Sequence, residues 1–330
     1  MSPSPPSPPS PPNAPVPPNA PVPATTALSK GQVFLRRLAS TAVLWGVVLT
    51  AMFSGNVFVR EYVFLLLMLV LAFTGMVEFY GLVEKRGLPC FKGWGLASGC
   101  LLMAGTFFYV TAYQKNAGFA SAPAKANDFE TTVLIIFVLG LCLREFLSKE
   151  RQSVALTTMS TTLLGFMYVP WLLNFIQKIN FLPALPNHPA IDGRFYVLYF
   201  IVVTKFSDLG AYCTGSLIGR HKMIPRISPG KTWEGLGGAV VVSTLASVVF
   251  AHFAGASLAG MNLQHAVILG ILLSLAAVVG DLIESIFKRE AGVKDSGRLF
   301  PGIGGILDLL DSLLFNAPLM YLYLRHVLAR

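Results

Sequence analysis

The residues best suited to chemistry lie between Ser285 and Asp311, near the end of this 330-residue chain. The stretch combines basic side chains, a glycine-rich turn and paired aspartates, and it separates two runs that are otherwise strongly apolar. Charged groups at bilayer depth cost several kcal/mol, so proteins keep them there mainly for function. The combination predicts a binding site for phosphate groups and a divalent metal ion.

Three aspartates are the predicted metal ligands: Asp281, Asp308 and Asp311. On a helix, Asp281 shares one face with Ser285 and Lys288, and Asp308 shares one face with Asp311. Two neighbouring carboxylates repel each other in a low dielectric, and a bound cation removes that conflict. Mg²⁺ suits such a site because it takes oxygen ligands and bridges phosphate oxygens. In the structural alternative, Lys288 neutralises Asp281, and the other aspartates complement a helix dipole.

The segment around these aspartates is predicted to bind the phosphates. Gly304 and Gly305 stand at a helix start, where backbone N–H groups can approach an anion closely. Arg289 and Lys294, with Asp295 between the same two helices, are predicted to contact the substrate. The alternative function for these cations is to anchor the chain at the membrane surface.

A second polar cluster lies upstream, between Ser228 and Gly235. It ends like a P-loop, but the leading glycine of that motif would fall at Pro225, and no strand of a βα unit precedes it. The P-loop interpretation is therefore excluded. A turn containing Ser228, Lys231 and Thr232 remains, and it is predicted to hold a phosphate at the start of the next helix.

The composition predicts an all-α polytopic membrane protein, since 54% of residues are hydrophobic, 12% are charged and the mean hydropathy is +0.64. About nine transmembrane helices are expected. Their predicted ranges are 38–55, 62–83, 94–113, 132–148, 155–176, 195–214, 236–257, 264–287 and 305–324. Residues 1–29 form a Pro-rich segment that is predicted to be a disordered cytoplasmic tail.

The distribution of charge predicts the topology and the domains. With the N-terminus in the cytoplasm and the C-terminus outside, most Lys and Arg residues fall in inner loops, as the positive-inside rule requires. The net charge of +9 then reflects topology and lipid headgroups, and no nucleic-acid partner is expected. Carboxylates concentrate after residue 194, which suggests a scaffold region at 30–194 and a catalytic region at 195–330.

The two polar clusters resemble the phosphatidate cytidylyltransferase family of membrane enzymes, over about residues 195–320. That family's C-terminal pattern is Ser-x2-Lys-Arg-x4-Lys-Asp, followed by Pro-Gly-His-Gly-Gly-x2-Asp-Arg-x-Asp. The matching residues are Ser285, Lys288, Arg289, Lys294, Asp295, Pro301, Gly302, Gly304, Gly305, Asp308 and Asp311. The stretches from Asp208 to Tyr212 and from Ser228 to Gly235 also match. Three positions depart from the pattern: Gly230, Ile303 and Leu309.

The resemblance implies that CTP and phosphatidate react to give CDP-diacylglycerol and diphosphate, in a bacterial inner membrane. It implies Mg²⁺ as cofactor, with a second cation and a homodimer left open. The three aspartates, Lys288 and Lys294 would form the catalytic group. The remaining matched residues would bind substrate: Asp208, Ser228, Lys231, Thr232, Ser285, Arg289, Asp295, Gly304 and Gly305.

Other classes of membrane protein also use aspartates within apolar spans. A CDP-alcohol phosphotransferase requires Asp-Gly-x2-Ala-Arg, and the Asp192-Gly193 pair has the wrong continuation, so this class is excluded. A secondary transporter could use Asp208 and Asp281 in an ion pathway, and its broken helices would explain the glycine-rich spans. Two alternatives remain: a catalytically altered relative of the cytidylyltransferases, because of the three departures, and a non-catalytic membrane scaffold.

Overall fold

The computed structural model of the chain describes residues 42–43, 45–116, 122–147, 154–182, 192–297 and 304–328. The tail predicted at residues 1–29 lies outside the described residues.

Long α-helices dominate the described chain. They are α1 (Val57–Lys85), α2 (Lys92–Asn116), α3 (Ala122–Leu147), α4 (Ala155–Phe166), α5 (Leu172–Asn180), α6 (Gly193–Ile218), α7 (Trp233–Ala254), α8 (Leu263–Glu290) and α9 (Ile306–Tyr323). A π-helical turn at Met167–Trp171, which contains Pro170, joins α4 to α5. A second π-turn, Leu324–Leu328, follows α9, and residues 45–53 are also helical.

Seven helices in the described residues are long and apolar enough to cross a membrane. They confirm the predicted multi-pass helical architecture and match seven of the predicted spans, but the count of nine is not confirmed. The predicted span at 132–148 lies in α3, which is helical without meeting the same criterion. Charged residues shorten its apolar stretch, with Asp128 and Glu130 at one end and Arg144 and Glu145 at the other. The predicted span at 38–55 is only partly described.

A small β-hairpin interrupts the helices where a turn was predicted. Strand β1 (Lys222–Ile224) pairs antiparallel with β2 (Ser228–Thr232), and Lys222 lies opposite Thr232. The backbone N–H of Trp233 donates to His221 across the end of the hairpin, at 2.9 Å. The hairpin therefore leads directly from the end of α6 into the start of α7.

Glycines allow the helices of residues 195–330 to pack backbone against backbone. A Cβ on Gly210 of α6 would lie 2.6 Å from the Gly238 carbonyl oxygen of α7. A Cβ on Gly270 of α8 would lie 2.6 Å from the Cα of Thr244, also on α7. Small residues at such contacts are typical of helices that associate in lipid. The close packing fixes the ends of α6, α7 and α8 relative to one another.

One apolar core continues across the predicted boundary at residue 194. Met76 and Val169 belong to the proposed scaffold region, and they are buried in the same cluster as Leu273 and Leu310 from the proposed catalytic region. The boundary itself falls at the start of α6. The two-region division stays a prediction.

Candidate metal and phosphate site

Three carboxylates from two helices converge at one end of the bundle. Asp281 and Glu284 of α8 and Asp311 of α9 each place an oxygen within 4.8 Å of the other two. The three-residue spacing on α8 puts its two acids on one face. Helix α9 can approach this face because residue 280 is glycine: a Cβ there would lie 2.5 Å from the Asp311 carbonyl oxygen.

Two lysines form ion pairs with this acidic cluster. The Lys231 ammonium of β2 lies 2.7 Å from an Asp281 carboxylate oxygen. Lys288 of α8 pairs with Glu284, one turn away on the same helix, and with Asp308 at 2.7 Å. The structure therefore brings Lys231 and Lys288, both predicted site residues, to the carboxylates.

A further acid and a further lysine border the cluster. The Ser312 hydroxyl donates to Asp311 at 3.1 Å and to Asp208 at 3.4 Å. Lys205 lies 3.4 Å from the Asp208 carboxylate. Both Asp208 and Lys205 come from α6, so three helices and the hairpin contribute charged groups to one site.

The charges of the site do not balance. Its carboxylates are Asp208, Asp281, Glu284, Asp308 and Asp311, and its ammonium groups are Lys205, Lys231 and Lys288. With every group ionised, the described residues of the site carry a formal excess of two negative charges. Carboxylates held so close in a low dielectric repel one another. One divalent cation with oxygen ligands would balance the excess, so the residues present fit a metal such as Mg²⁺.

Asp308 is held differently from the other predicted metal ligands. One of its carboxylate oxygens accepts hydrogen bonds from the backbone N–H of Gly305 at 2.7 Å and from the Ser296 N–H and hydroxyl at 3.1 and 3.0 Å. The other oxygen accepts from Lys288. Asp308 thus caps α9. Asp308 was predicted to lie beside Asp281 and Asp311, but Glu284 occupies that position instead.

The glycine turn before α9 holds a carboxylate of the protein itself. Glu78, from α1, accepts from the backbone N–H groups of Ile306 at 3.0 Å and Leu307 at 2.8 Å. The donors predicted to bind substrate phosphate around Gly304 and Gly305 are therefore engaged by Glu78 and Asp308. The sequence analysis did not single out Glu78. An acidic residue within an apolar span was the available signal.

The hairpin contributes one side chain to the acidic cluster. Thr232, predicted to bind phosphate, is 3% exposed, and its hydroxyl accepts from the Gly235 N–H at 3.1 Å as the cap of α7. Ser228 is half-buried in β2, opposite Ile224. Lys231 is the residue of this strand that reaches Asp281.

The other predicted site residues lie at the end of α8. The buried Ser285 hydroxyl donates to Asp281 at 3.4 Å. Arg289 is exposed and donates to the Ile227 carbonyl at 3.2 Å, which ties α8 to the hairpin. Lys294 and Asp295 are exposed on the following turn. These last three side chains border the cluster without entering it.

An apolar cavity of 280 Å³ extends away from the acidic cluster. Residues of α1, α6 and α9 line it, among them Phe64, Val197, Leu309 and Leu313. Lys205 also lines the cavity, and its ammonium donates to the Leu309 carbonyl at 3.3 Å. This lysine therefore lies between an apolar space and the carboxylates.

A model of the cytidylyltransferase family matches residues 40–327. The chain belongs to this family. It is 41% identical to a phosphatidate cytidylyltransferase of Haemophilus influenzae over 133 residues, which are 40% of this chain and 46% of the relative. A phosphatidate cytidylyltransferase of Staphylococcus saprophyticus is 36% identical over 203 residues, or 60% of this chain and 70% of the relative.

The name of a third relative states no function. The uncharacterized protein YnbB of Escherichia coli is 36% identical over 165 residues, which are 50% of this chain and 51% of the relative. The chain spans about half the length of the first curated relatives it matches.

The structure describes the surroundings of two of the three residues that depart from the family pattern. Leu309 lines the apolar cavity, where it adds apolar surface. Gly230 is exposed in β2, and a Cβ added there would meet nothing within 4 Å. Ile303 lies outside the described residues.

Proposed function

We propose that the chain transfers the cytidylyl group of CTP to phosphatidate, forming CDP-diacylglycerol and diphosphate. The observation that carries the proposal is the unbalanced acidic cluster, which adjoins lysines on one side and an apolar cavity on the other. Membership of the cytidylyltransferase family and the names of the relatives support it.

Asp281, Glu284 and Asp311 would hold Mg²⁺ in this proposal. Bound there, the ion would neutralise phosphate charge and polarise phosphoryl oxygens. Asp308 would instead orient Lys288, since its oxygens already accept from that ammonium and from the start of α9. Asp208, next to Asp311 through Ser312, offers a carboxylate for a second cation.

The basic residues would hold the two anionic substrates together. Phosphatidate carries its own anionic oxygen, which would attack the α-phosphorus of CTP while diphosphate leaves with the electron pair of the broken P–O bond. A strong general base is therefore unnecessary, and the main obstacle is repulsion between two polyanions. Lys231 and Lys288 would contact phosphates at the cluster, and the exposed Arg289 and Lys294 would contact the diphosphate end of CTP.

The apolar cavity would receive the lipid. Its volume is roughly twice that of an engineered apolar cavity that binds benzene, so a segment of an acyl chain fits. Lys205 would then face the phosphate of phosphatidate at the point where apolar walls give way to carboxylates. The acyl chains would reach this position sideways from the bilayer.

The proposed orientation places the N-terminus in the cytoplasm, where CTP is available, and the C-terminus outside a bacterial inner membrane. The concentration of Lys and Arg in the predicted inner loops supports it. The exposed cations Arg220 and Lys222 adjoin or belong to the hairpin that carries Lys231, and the exposed Arg289 and Lys294 follow Lys288 of the site in the sequence. A homodimer stays a prediction.

A direct assay tests the proposal. Purified chain in detergent receives labelled CTP, phosphatidate and MgCl₂, and we expect labelled CDP-diacylglycerol together with diphosphate. Replacing phosphatidate with diacylglycerol, which lacks the attacking phosphate oxygen, should give no product. Absence of product from a protein that unfolds cooperatively would reject the enzyme, and uptake of a solute into sealed liposomes would favour the transporter alternative.

A further inference from the structure

We infer that Glu78 is a positioning residue, which holds the start of α9 so that Asp308 and Lys288 face the acidic cluster correctly. The inference rests on the proposed function for its catalytic consequence, whereas its structural part stands on hydrogen bonds alone. Glu78 belongs to α1, so it is more than 200 residues away in the sequence from the helix that it contacts.

The first turn of α9 depends on Glu78 for its hydrogen bonds. The first N–H groups of a helix have no partners within the helix, and a side chain at the N-cap usually accepts from them. The N-cap of α9 is Gly305, which has no such side chain. Glu78 accepts from the next two N–H groups, those of Ile306 and Leu307. Its negative charge also suits the positive end of the helix dipole.

The glycines of this region make room for the carboxylate. A Cβ on Gly297 would collide with the carboxyl group of Glu78. One on Gly305 would collide with Glu78 and with the hydroxyl of Ser296. Part of the glycine pattern that the sequence suggested for phosphate thus serves an internal carboxylate instead.

A short series of hydrogen bonds connects Glu78 to the acidic cluster. The Ser296 hydroxyl lies 3.0 Å from Glu78 and 3.0 Å from Asp308, so it bridges the two carboxylates. Asp308 accepts from Lys288 at 2.7 Å, and Lys288 pairs with Glu284. A displacement of Glu78 would therefore reach Glu284 through three intervening side chains: Ser296, Asp308 and Lys288.

The test compares Glu78→Gln with Glu84→Gln on the same helix. Glutamine keeps the size of Glu78 but turns an N–H₂ group toward the backbone donors, so the start of α9 loses an acceptor. We expect kcat to fall at least tenfold, with KM for CTP and for phosphatidate changing less than twofold. Glu84 forms an exposed pair with Lys92, and its variant should keep kcat within twofold.

Hydrogen exchange supplies a readout that does not depend on activity. The amides of Ile306 and Leu307 should exchange at least tenfold faster in Glu78→Gln than in the wild type, while amides in the middle of α9 keep their rates. The stabilisation of the protein by MgCl₂, measured as a shift in Tm, should also shrink in this variant. Glu84→Gln should leave both quantities unchanged.

Specific outcomes would overturn the inference. Unchanged exchange at residues 306 and 307 would show that Glu78 does not hold the helix start. Faster exchange together with a wild-type kcat and a wild-type MgCl₂ response would show that Glu78 stabilises the helix start but does not position the site. A wild-type chain that makes no CDP-diacylglycerol contradicts the proposed function alone, and the exchange and MgCl₂ measurements then decide about Glu78.

Discussion

Two charged clusters in the described part of the chain are built on different principles. In the first, Glu130 of α3 and Lys178 of α5 form an ion pair of 2.7 Å with side chains 6% and 7% exposed. The second oxygen of Glu130 accepts from Asn174 at 2.8 Å, and Lys178 also donates to Asn127 at 2.8 Å. One positive charge meets one negative charge, and amide groups complete their hydrogen bonds.

The acidic cluster between α8 and α9 lacks this balance. With the acids that border it, Asp208 and Asp308, the site has five carboxylates for three ammonium groups. Uncompensated charge, rather than burial alone, is therefore the feature on which the proposed binding site rests. The Glu130–Lys178 pair has a structural explanation, since Lys178 also lies 4.7 Å from the Phe175 ring and 5.0 Å from the Tyr321 ring of α9.

Removal of one carboxylate from the acidic cluster should have the largest effect. Asp311→Asn is expected to lower kcat by about 1000-fold, or ~4 kcal/mol, because it removes a proposed metal ligand. Without MgCl₂ the same variant should have a Tm equal to or above that of the wild type, since a repelling charge is gone. Steady-state kinetics and thermal unfolding measure both effects. Glu290→Gln, an exposed change on α8, is the control, and a lower Tm for Asp311→Asn would contradict the comparison.

Loss of one partner from the Glu130–Lys178 pair should lower stability and leave activity nearly unchanged, the opposite of the effect expected for Asp311→Asn. Lys178→Met leaves the buried Glu130 carboxylate without its cation, and we expect a loss of about 3–5 kcal/mol in the free energy of unfolding. Activity per folded molecule should stay within twofold, as measured on protein below its Tm. Lys92→Met, which breaks the exposed pair with Glu84, should cost less than about 1 kcal/mol. A lost MgCl₂ response in Lys178→Met would show that this pair also belongs to the active site.

Lys205 tests whether the apolar cavity serves the lipid. Lys205→Met should raise KM for phosphatidate about tenfold, the equivalent of ~1.4 kcal/mol for one charge-assisted hydrogen bond. KM for CTP should change less than twofold, because the lysine lies on the cavity side of the cluster. Lys205→Arg keeps the charge and should remain near the wild type. An equal rise in KM for phosphatidate and KM for CTP would contradict the proposal that the cavity side of the site binds the lipid.

Gly230 should give the smallest effect. Gly230→Lys adds a cation to an exposed hairpin position with free space, so the protein should fold normally. An exposed charge contributes about 0.5 kcal/mol, which predicts a roughly twofold lower KM for CTP. The gain should disappear at 1 M salt, where charges are screened beyond about 3 Å. Gly230→Ala is the control for the backbone, and a gain that survives 1 M salt would refute the electrostatic explanation.

Much of the fold and part of the site follow from local sequence patterns. Hydropathy located seven spans because each helix must carry enough apolar residues to cross the bilayer. Helical periodicity placed Asp281, Ser285 and Lys288 on one face, and the structure brings the first two into contact at 3.4 Å. The family resemblance on residues 195–320 is confirmed by the family match.

The remaining features depend on contacts between distant segments. Glu78 meets α9 only through the tertiary packing of α1, and no spacing in the sequence connects them. Helical periodicity places Glu284 near Asp281 on α8 and Asp308 near Asp311 on α9, but it does not show which of them joins the other two carboxylates. The Gly305 N–H, which draws Asp308 to the helix start, was not visible as a competing donor. The hairpin strand Ser228–Thr232 was missed because its Pro and Gly residues are typical of turns.

Gly280 fixes the distance between the two helices that carry the acidic cluster. Helices α8 and α9 touch there through main-chain atoms, with no side chain between them, so their spacing is not set by rotamers. In the proposed reaction, the lysines around the cluster would change conformation as anionic substrates bind and leave, while the backbones that carry Asp281 and Asp311 would keep their spacing. The backbone positions of the proposed metal ligands would then stay constant, while the basic side chains of the site would move during each catalytic cycle.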